Sequence, residues 1–421
     1  MSAIDVAWAR RQFPALDQKI EGRPVVFFDG PGGTQVPRRV IDAMADYLAK
    51  SNANTHGEFA TSARTDEMIA RARAAMADLF GCDCDEVVFG ANMTSLTFAM
   101  SRVIGRELKK GDEIVVTLLD HDANYAPWHA LAERGVVVRA AGVNVADCTL
   151  DMDDLRHKIG PATRLVAVGY ASNAVGTIND VAEVCRLAHA VGAMCYVDAV
   201  HYAPHGPIDV RALDCDFMVC SPYKFFGPHA GVLYGKREHL ARLRPYKVRP
   251  AGDEVPDCWE TGTQNHEGLA GVAAAIDYLA ELGVRSAGPG RTPASRREAL
   301  LSAMSAISQY ESRLAAGLIS GLLAIPGLAF YGITDAKRAP WRTPTVSVRI
   351  AGHSPRELSR RLAGRGIFVW DGNYYAINLT DLLGVEETGG MLRIGLAHYN
   401  TPEEVDRLLE ALGEVVSSTK A

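Results

Sequence analysis

The stretch Asp216–Gly235, DFMVCSPYKFFGPHAGVLYG, sets one apolar run against another across a Ser-Pro-Tyr-Lys turn, two phenylalanines and a Gly-Pro pair. Short apolar runs bounded by Gly, Pro and Ser read as strands buried on both faces. Lysine keeps its ammonium in water where it can, so Lys224 at the end of such a run needs a reason. Outward from this stretch the same pattern recurs in EVVFG, GDEIVVTLL, GVVVRAAG, TRLVAVGYAS and GAMCYVDAV. Helix-like stretches such as PWHALAERG and DVAEVCRLAHAVG separate several of them. This alternation, over roughly residues 60–240, predicts an α/β fold with a mostly parallel sheet covered on both faces.

Beyond the sheet, LAGVAAAIDYLAELG reads as a helix, and RSAGPGRTPASRRE as a Gly/Pro-rich surface excursion. From about Ser305 a long helix, then LAFYGI, TPTVSVRI, IFVWDG and MLRIGLAH, predict a smaller α+β unit. TPEEVDRLL, with a Thr cap and acids in its first turn, closes the chain as a helix. The expected division is an N-terminal segment at 1–25, a large domain at 26–300 and a small C-terminal domain at 301–421, with N-terminal residues packing on the last.

The bulk numbers agree with a globular enzyme-sized chain: 421 residues, 48% hydrophobic, net charge −6. No basic stripe points to nucleic acid. MSAIDVAWARRQF lacks a signal-peptide layout, and no apolar run reaches membrane-spanning length, so a soluble cytoplasmic protein is expected. The eight cysteines lack zinc spacing; only Cys82 and Cys84 are close, and none follows Cys258. They read as reduced and mostly buried.

Ligands bind parallel sheets at the carboxyl ends of the strands. The polar residues that end the apolar runs are Thr94, His121, Asn173, Asp198, His201, Ser221, Tyr223 and Lys224. Singly these are caps, turns and a snorkelling lysine; as a set they suit one cofactor. Pyridoxal 5′-phosphate needs a lysine for an imine, an acid facing the pyridine nitrogen, a flat group over the ring and donors around the phosphate. A lysine beside Phe225 and Phe226 would be partly desolvated, favouring the neutral amine. NMTS, opening a helix, offers N–H groups and a hydroxyl, with Met93 and Thr94 at its start. DGPGGTQ lacks dinucleotide spacing, and there is no P-loop, no nucleophile elbow and no compact metal motif.

These residues resemble the class V aminotransferase group of fold-type I pyridoxal phosphate enzymes, most closely the cysteine desulfurase and selenocysteine lyase branch. The resemblance runs from VVFFDGPGGTQVP to LRIGLAHYNTPEEVDRLL and includes GDEIVVTLLDHDAN, SNAVGTIND, YVDAVHYAPHGPIDV and WETGTQN. It implies a seven-stranded-type sheet in the large domain. It implies Lys224 as the Schiff-base lysine, Asp198 as partner of the pyridine nitrogen and His121 stacked on the ring. Asn173 and His201 match side chains on the phenolic oxygen, where many relatives have Gln at the His201 position. Thr94, Ser221 and Tyr223 match the phosphate cup, Tyr223 standing where desulfurases usually carry His. Thr263 matches a threonine lent to the phosphate of the second subunit, which implies a homodimer with shared sites. Arg393 matches the arginine that holds the substrate α-carboxylate through a bidentate pair.

One departure stands out. Desulfurases carry their persulfide-forming cysteine on a mobile loop of the small domain. The matching segment here is VWDGNYYAINL, with Tyr375 at the cysteine position. The resemblance therefore implies an enzyme that forms an external aldimine and an α-carbanion on an amino acid, a C–S (β-) lyase without the persulfide cysteine. Epimerase and aminotransferase outcomes of the same carbanion, and a non-catalytic sensor or scaffold, are the alternatives. Asn373, Tyr374 and Tyr375 are expected on the substrate side, and His56 in NANTHGEFATS is a candidate to reach it.

Overall fold

A computed structural model describes residues 4–288, 290 and 292–418. Pro289 and Arg291, in the Gly/Pro-rich excursion, lie outside the described residues. The seven strands of the main sheet are β1 (Val87–Gly90), β2 (Glu113–Thr117), β3 (Val137–Ala141), β4 (Thr163–Gly169), β5 (Met194–Asp198), β6 (Phe217–Cys220) and β7 (Gly231–Gly235). Their spatial order is β1-β7-β6-β5-β4-β2-β3. All ladders are parallel except the two made by β7, which runs antiparallel to β6 and β1. The sheet is the mostly parallel one expected. Inner strands such as β6 are buried at every position, while β3, at the edge, alternates with solvent.

The chain leaves β2 toward β3 on one side and returns to β4, β5 and β6 on the other. The resulting switch point lies between β2 and β4, and a crevice opens beyond their carboxyl ends. Helix α1 (Met93–Ile104) starts there, capped by the Asn92 side chain, which accepts from the Ser95 N–H at 2.8 Å. Helix α2 (His266–Ser286) packs Leu269, Val272 and Ile276 into the core beneath the sheet.

A second, antiparallel sheet contains β8 (Leu328–Tyr331), β9 (Thr345–Ile350), β10 (Trp370–Gly372) and β11 (Met391–Gly395) in the order β8-β9-β11-β10. Helix α3 (Arg296–Leu323) serves both cores. Leu300, Ala303, Met304 and Ile307 pack with the main sheet, and Leu314, Leu318 and Leu322 with Val346 and Ile394 of the second. Val26 and Phe28 enter that second core, where Val26–Phe27 pairs in parallel with Ile367–Phe368. Helix α4 (Pro402–Ser418) opens on a capping box: the Glu404 N–H donates to Thr401 Oγ1 (3.3 Å) and the Thr401 N–H to Glu404 Oε2 (3.2 Å). No helix among the described residues is long and apolar enough to cross a membrane.

Candidate active site

The crevice holds a cavity of about 500 Å³ between the main sheet and β10–β11. Lys224, Asp198, His121, Asn173, His201, Tyr223, Met93, Thr94, Arg393 and Tyr375 all line it. Those from the main sheet come from the end of an apolar strand or the turn or helix start after it, where a polar side chain first reaches open space; Arg393 lies mid-strand in β11.

Lys224 lies in a single 3₁₀ turn, Pro222–Lys224, that ends β6. Its Nζ donates to the Pro31 carbonyl and sits 4.8 Å from the centroid of the Tyr223 ring. Burial, and secondarily the Arg393 charge, lowers its pKa to about 7, against the opposing pull of Asp198 and Asp29. The amine is thus half uncharged near neutrality. The lysine is desolvated as the sequence suggests, and neither Phe225 nor Phe226 lines the cavity. Phe226, held at φ +70°, turns into an aromatic cluster with Phe13, Tyr278 and His398 at centroid distances of 5.7, 6.0 and 4.6 Å. Phe226 thus anchors the turn in the core, and Lys224 is desolvated by burial at its edge.

Asp198 ends β5. It accepts the Val200 N–H at 2.9 Å, and burial raises its pKa to about 6 despite that bond and the Lys224 charge. His121 caps the short turn after β2, its Nδ1 accepting the Ala123 N–H at 3.0 Å. Burial, with the Lys224 and Arg393 charges, lowers its pKa to about 4, so the ring is neutral and flat-faced at physiological pH. His201 bonds Thr343 Oγ1 through Nε2 at 3.2 Å and is also held neutral by burial.

Arg393, on β11, is buried, and its pKa is lowered to about 10 by that burial. One nitrogen donates to the Asn173 carbonyl at 2.9 Å, while Nε has no partner. Asn173 gives Nδ2 to the Tyr374 carbonyl at 2.8 Å and leaves Oδ1 unpartnered. Two buried, unpartnered polar atoms on one cavity are expensive unless a ligand meets them.

Two residues expected around the phosphate do not line this chain's own cavity, one of them, Thr263, being expected at the partner subunit's site. Ser221 does not line the cavity; its Oγ accepts the Met93 N–H at 3.3 Å, fixing the start of α1 instead. Thr263 is exposed on the rim of a separate cavity beside α1, and this chain does not bring it to its own site. His56 stays outside as well, its backbone N–H bound to the Asp66 carboxylate.

Sequence reasoning missed one side of the site. Pro31 and Gly32, from the glycine-rich DGPGGTQ segment, line it, as do Asp120, Trp370, Asp371 and Gly372. Their signal was the glycines. A Cβ on Gly32 would lie 2.2 Å from Trp370 Nε1, and one on Gly395 would lie 2.0 Å from Pro31 Cδ. These are close-approach glycines that press the N-terminal loop against the second sheet. Asp29, in the same loop, is raised to about 6 by burial. Asp120 is fully enclosed, accepting from Thr117, Asn124 and the Gly169 N–H, and burial pushes it to about 7.

A fold-type I large sheet with a lysine, an acid and a stacking imidazole at its strand ends defines the class, and the comparisons define the family. The Aminotransferase class-V family model matches residues 26–290 and 299–408. The chain belongs to the class V aminotransferase family. A cysteine desulfurase of Enterobacter sp. is 31% identical, covering 98% of this chain and 98% of that protein. The cysteine desulfurase of Synechococcus elongatus is 32% identical over 99% of this chain, and the probable cysteine desulfurase of Mycolicibacterium paratuberculosis 31% over 98%. The chain spans only 65% and 58% of those two proteins' lengths. The apo structure of a cysteine desulfurase from Thermococcus onnurineus aligns with a TM-score of 0.87 at 27% identity, covering 99% of this chain and all of that one. A cysteine desulfurase from Escherichia coli, in an S-sulfonic acid form, aligns at 0.83 with 29% identity and 98% coverage of both chains.

Proposed function

We propose that the chain is a pyridoxal phosphate enzyme that removes a β-substituent from an amino acid, a desulfurase-like C–S lyase that works without a persulfide cysteine. The observation that carries this reading is the convergence of Lys224, Asp198, His121, Asn173, His201 and Arg393 on one cavity with two unpartnered polar atoms. The residues fit the cofactor: Lys224 would hold it covalently, Asp198 would face the pyridine nitrogen, His121 would stack on the ring, Asn173 and His201 would meet the phenolic oxygen. Met93, Thr94 and Tyr223 would surround the phosphate, with Ser221 supporting them through the Met93 N–H. Bound there, the cofactor supplies an electron sink for a carbanion at Cα.

The chain's own groups do the rest. Arg393 would bind the α-carboxylate from the cavity wall, which would orient the Cα–H bond toward Lys224. Lys224, once the substrate's amino group has displaced it from the cofactor and while uncharged, would take that proton as the general base. Asp198, raised by burial only to about 6, is largely ionised at neutral pH and would keep a facing pyridine nitrogen protonated and the ring electron-poor. The electrons of the Cα–H bond then expel the leaving group from Cβ with its bonding pair.

The absence of a thiol acceptor rests on the cysteines. None of the eight lines the cavity, and no cysteine follows Cys258. Tyr375 lines the cavity where desulfurases would carry the acceptor, and a phenol cannot hold a persulfide. The exposure of Thr263 away from its own site supports the homodimer in which each subunit lends it to the other.

A screen of the holoenzyme against amino acids, following sulfide, pyruvate or alanine, keto acid and α-proton exchange in parallel, tests the reading. The expected products are a free thiol or sulfide without protein-bound sulfur. A persulfide trapped on the protein overturns the acceptor-free claim, and α-proton exchange alone overturns the lyase in favour of an epimerase.

A further inference from the structure

The segment Gly372–Ala376 has a backbone that few side chains adopt. Tyr374 and Tyr375 are consecutive left-handed residues at φ +57° and +60°. A non-glycine residue there is strained and persists only where the surroundings over-determine it. Here they do. The Tyr374 carbonyl accepts from Asn173 Nδ2 at 2.8 Å, and the Tyr375 carbonyl accepts the Asp122 N–H at 2.7 Å. Asn373 ties the turn from within: its side-chain oxygen accepts the Tyr375 N–H (3.0 Å), its carbonyl accepts the Ala376 N–H (2.8 Å), and its Nδ2 donates to Glu386 (2.7 Å).

The outcome of that strain is a specific placement of two rings. Tyr374 is buried, its hydroxyl donates to the Met391 carbonyl, and its ring face lies 4.1 Å from the Arg393 guanidinium carbon. Tyr375 is 71% exposed, and its ring stacks on His121 with centroids 5.3 Å apart and planes 21° apart. Among the described residues Arg393 makes one hydrogen bond, to the Asn173 carbonyl, so its planar partner Tyr374 helps set the plane of the guanidinium.

We propose that Tyr374 and Tyr375 are positioning residues, one setting the plane of the Arg393 guanidinium and the other the plane of the His121 imidazole, so that a single strained turn holds the carboxylate-binding and ring-stacking groups in register. The inference rests on the reading of Arg393 and His121 given above. It assigns the tyrosine pair a function that needs no chemistry of the phenols. The carboxylate-bearing class of substrate, α-amino acids over simple amines, is then selected by Tyr374 as well as by Arg393.

The test uses holoenzyme and two reagents that attack any lysine-bound pyridoxal phosphate: aminooxyacetate, which has a carboxylate, and methoxyamine, which lacks one. Loss of the visible cofactor band gives both rates. Wild type reacts faster with aminooxyacetate. Tyr374→Leu lowers that preference about tenfold and leaves the methoxyamine rate unchanged, whereas Tyr374→Phe keeps most of it because the ring remains. Equal slowing with both reagents, or an unchanged preference, overturns the role of Tyr374. Arg393→Gln separates the two claims: if it retains the preference, the carboxylate reading fails; if it loses the preference while Tyr374→Leu does not, only the positioning claim fails. Tyr375 is exposed, so its variants are free of a core-folding penalty. Tyr375→Ala reduces the visible circular dichroism per bound cofactor, and Tyr375→Phe restores it; full ellipticity in Tyr375→Ala overturns its role.

Discussion

The two walls of the cavity are built on different principles. The wall from the main sheet carries Asp198, His121 and Lys224 at or just beyond the ends of buried parallel strands. The wall from the second sheet carries Tyr374 and Tyr375 in a left-handed turn off the end of β10, held by side chains and backbone groups from the first wall. One wall is positioned by the packing of strands that would be there without it. The other is positioned by contacts it makes across the cavity. The proposed base, ring acid and stacking imidazole sit on the first; Arg393 and the strained tyrosine pair sit on the second.

That contrast can be broken most sharply at Lys224. Lys224→Ala should abolish the visible cofactor band and all turnover, while the melting temperature of the apoprotein holds or rises because a buried amine is removed. A coloured Lys224→Ala protein ends the assignment. Next in size is Arg393→Gln, which should raise the KM of an amino-acid substrate roughly 10–100-fold, the worth of a charge-assisted pair to a carboxylate, with a smaller effect on kcat. An equal fall in both would put Arg393 in the chemistry instead. Smaller again is the subunit test: Thr263→Ala should weaken cofactor affinity about tenfold, the loss of one hydrogen bond to a charged group. Mixed dimers of Thr263→Ala and Lys224→Ala should regain one cofactor site of wild-type affinity; no recovery on mixing places Thr263 outside the shared site. The smallest effect is a pH dependence. The rate at which apoprotein captures pyridoxal phosphate should rise with pH around a midpoint of about 7 and level off above it, since only the unprotonated Lys224 attacks and burial has lowered its pKa to that value. A midpoint near that of a solvated lysine would show the amine open to water before the cofactor enters.

The first wall was largely legible in the sequence. Alternation of apolar runs and helices gives the sheet, and the rule that strand ends carry ligands picks out Lys224, Asp198, His121 and Asn173 without any further knowledge. The second wall was legible only in part, through the resemblance, which pointed to Arg393, Asn373, Tyr374 and Tyr375. Trp370 and Asp371 follow no periodic signal, and their presence on the cavity depends on β10 pairing with β11, a contact between segments some twenty residues apart whose register the sequence does not print. Pro31 and Gly32 were hidden for another reason: a glycine-rich loop was weighed only as a phosphate cradle, when its glycines permit contact with Trp370. Lys224 is desolvated as its apolar neighbours suggest, while the positive φ at Phe226 sends that ring into the core, which no periodicity announces.

Helix α3 gives the molecule a property that neither sheet has alone. Its first half is bound into the core of the main sheet and its second half into that of the other, with Tyr310 packed against both. A rod embedded in two bodies transmits torque between them. Loosening at either end is felt at the other, so the two sheets should lose amide protection together in hydrogen exchange, and a protease should find no cut within α3 that frees an intact half.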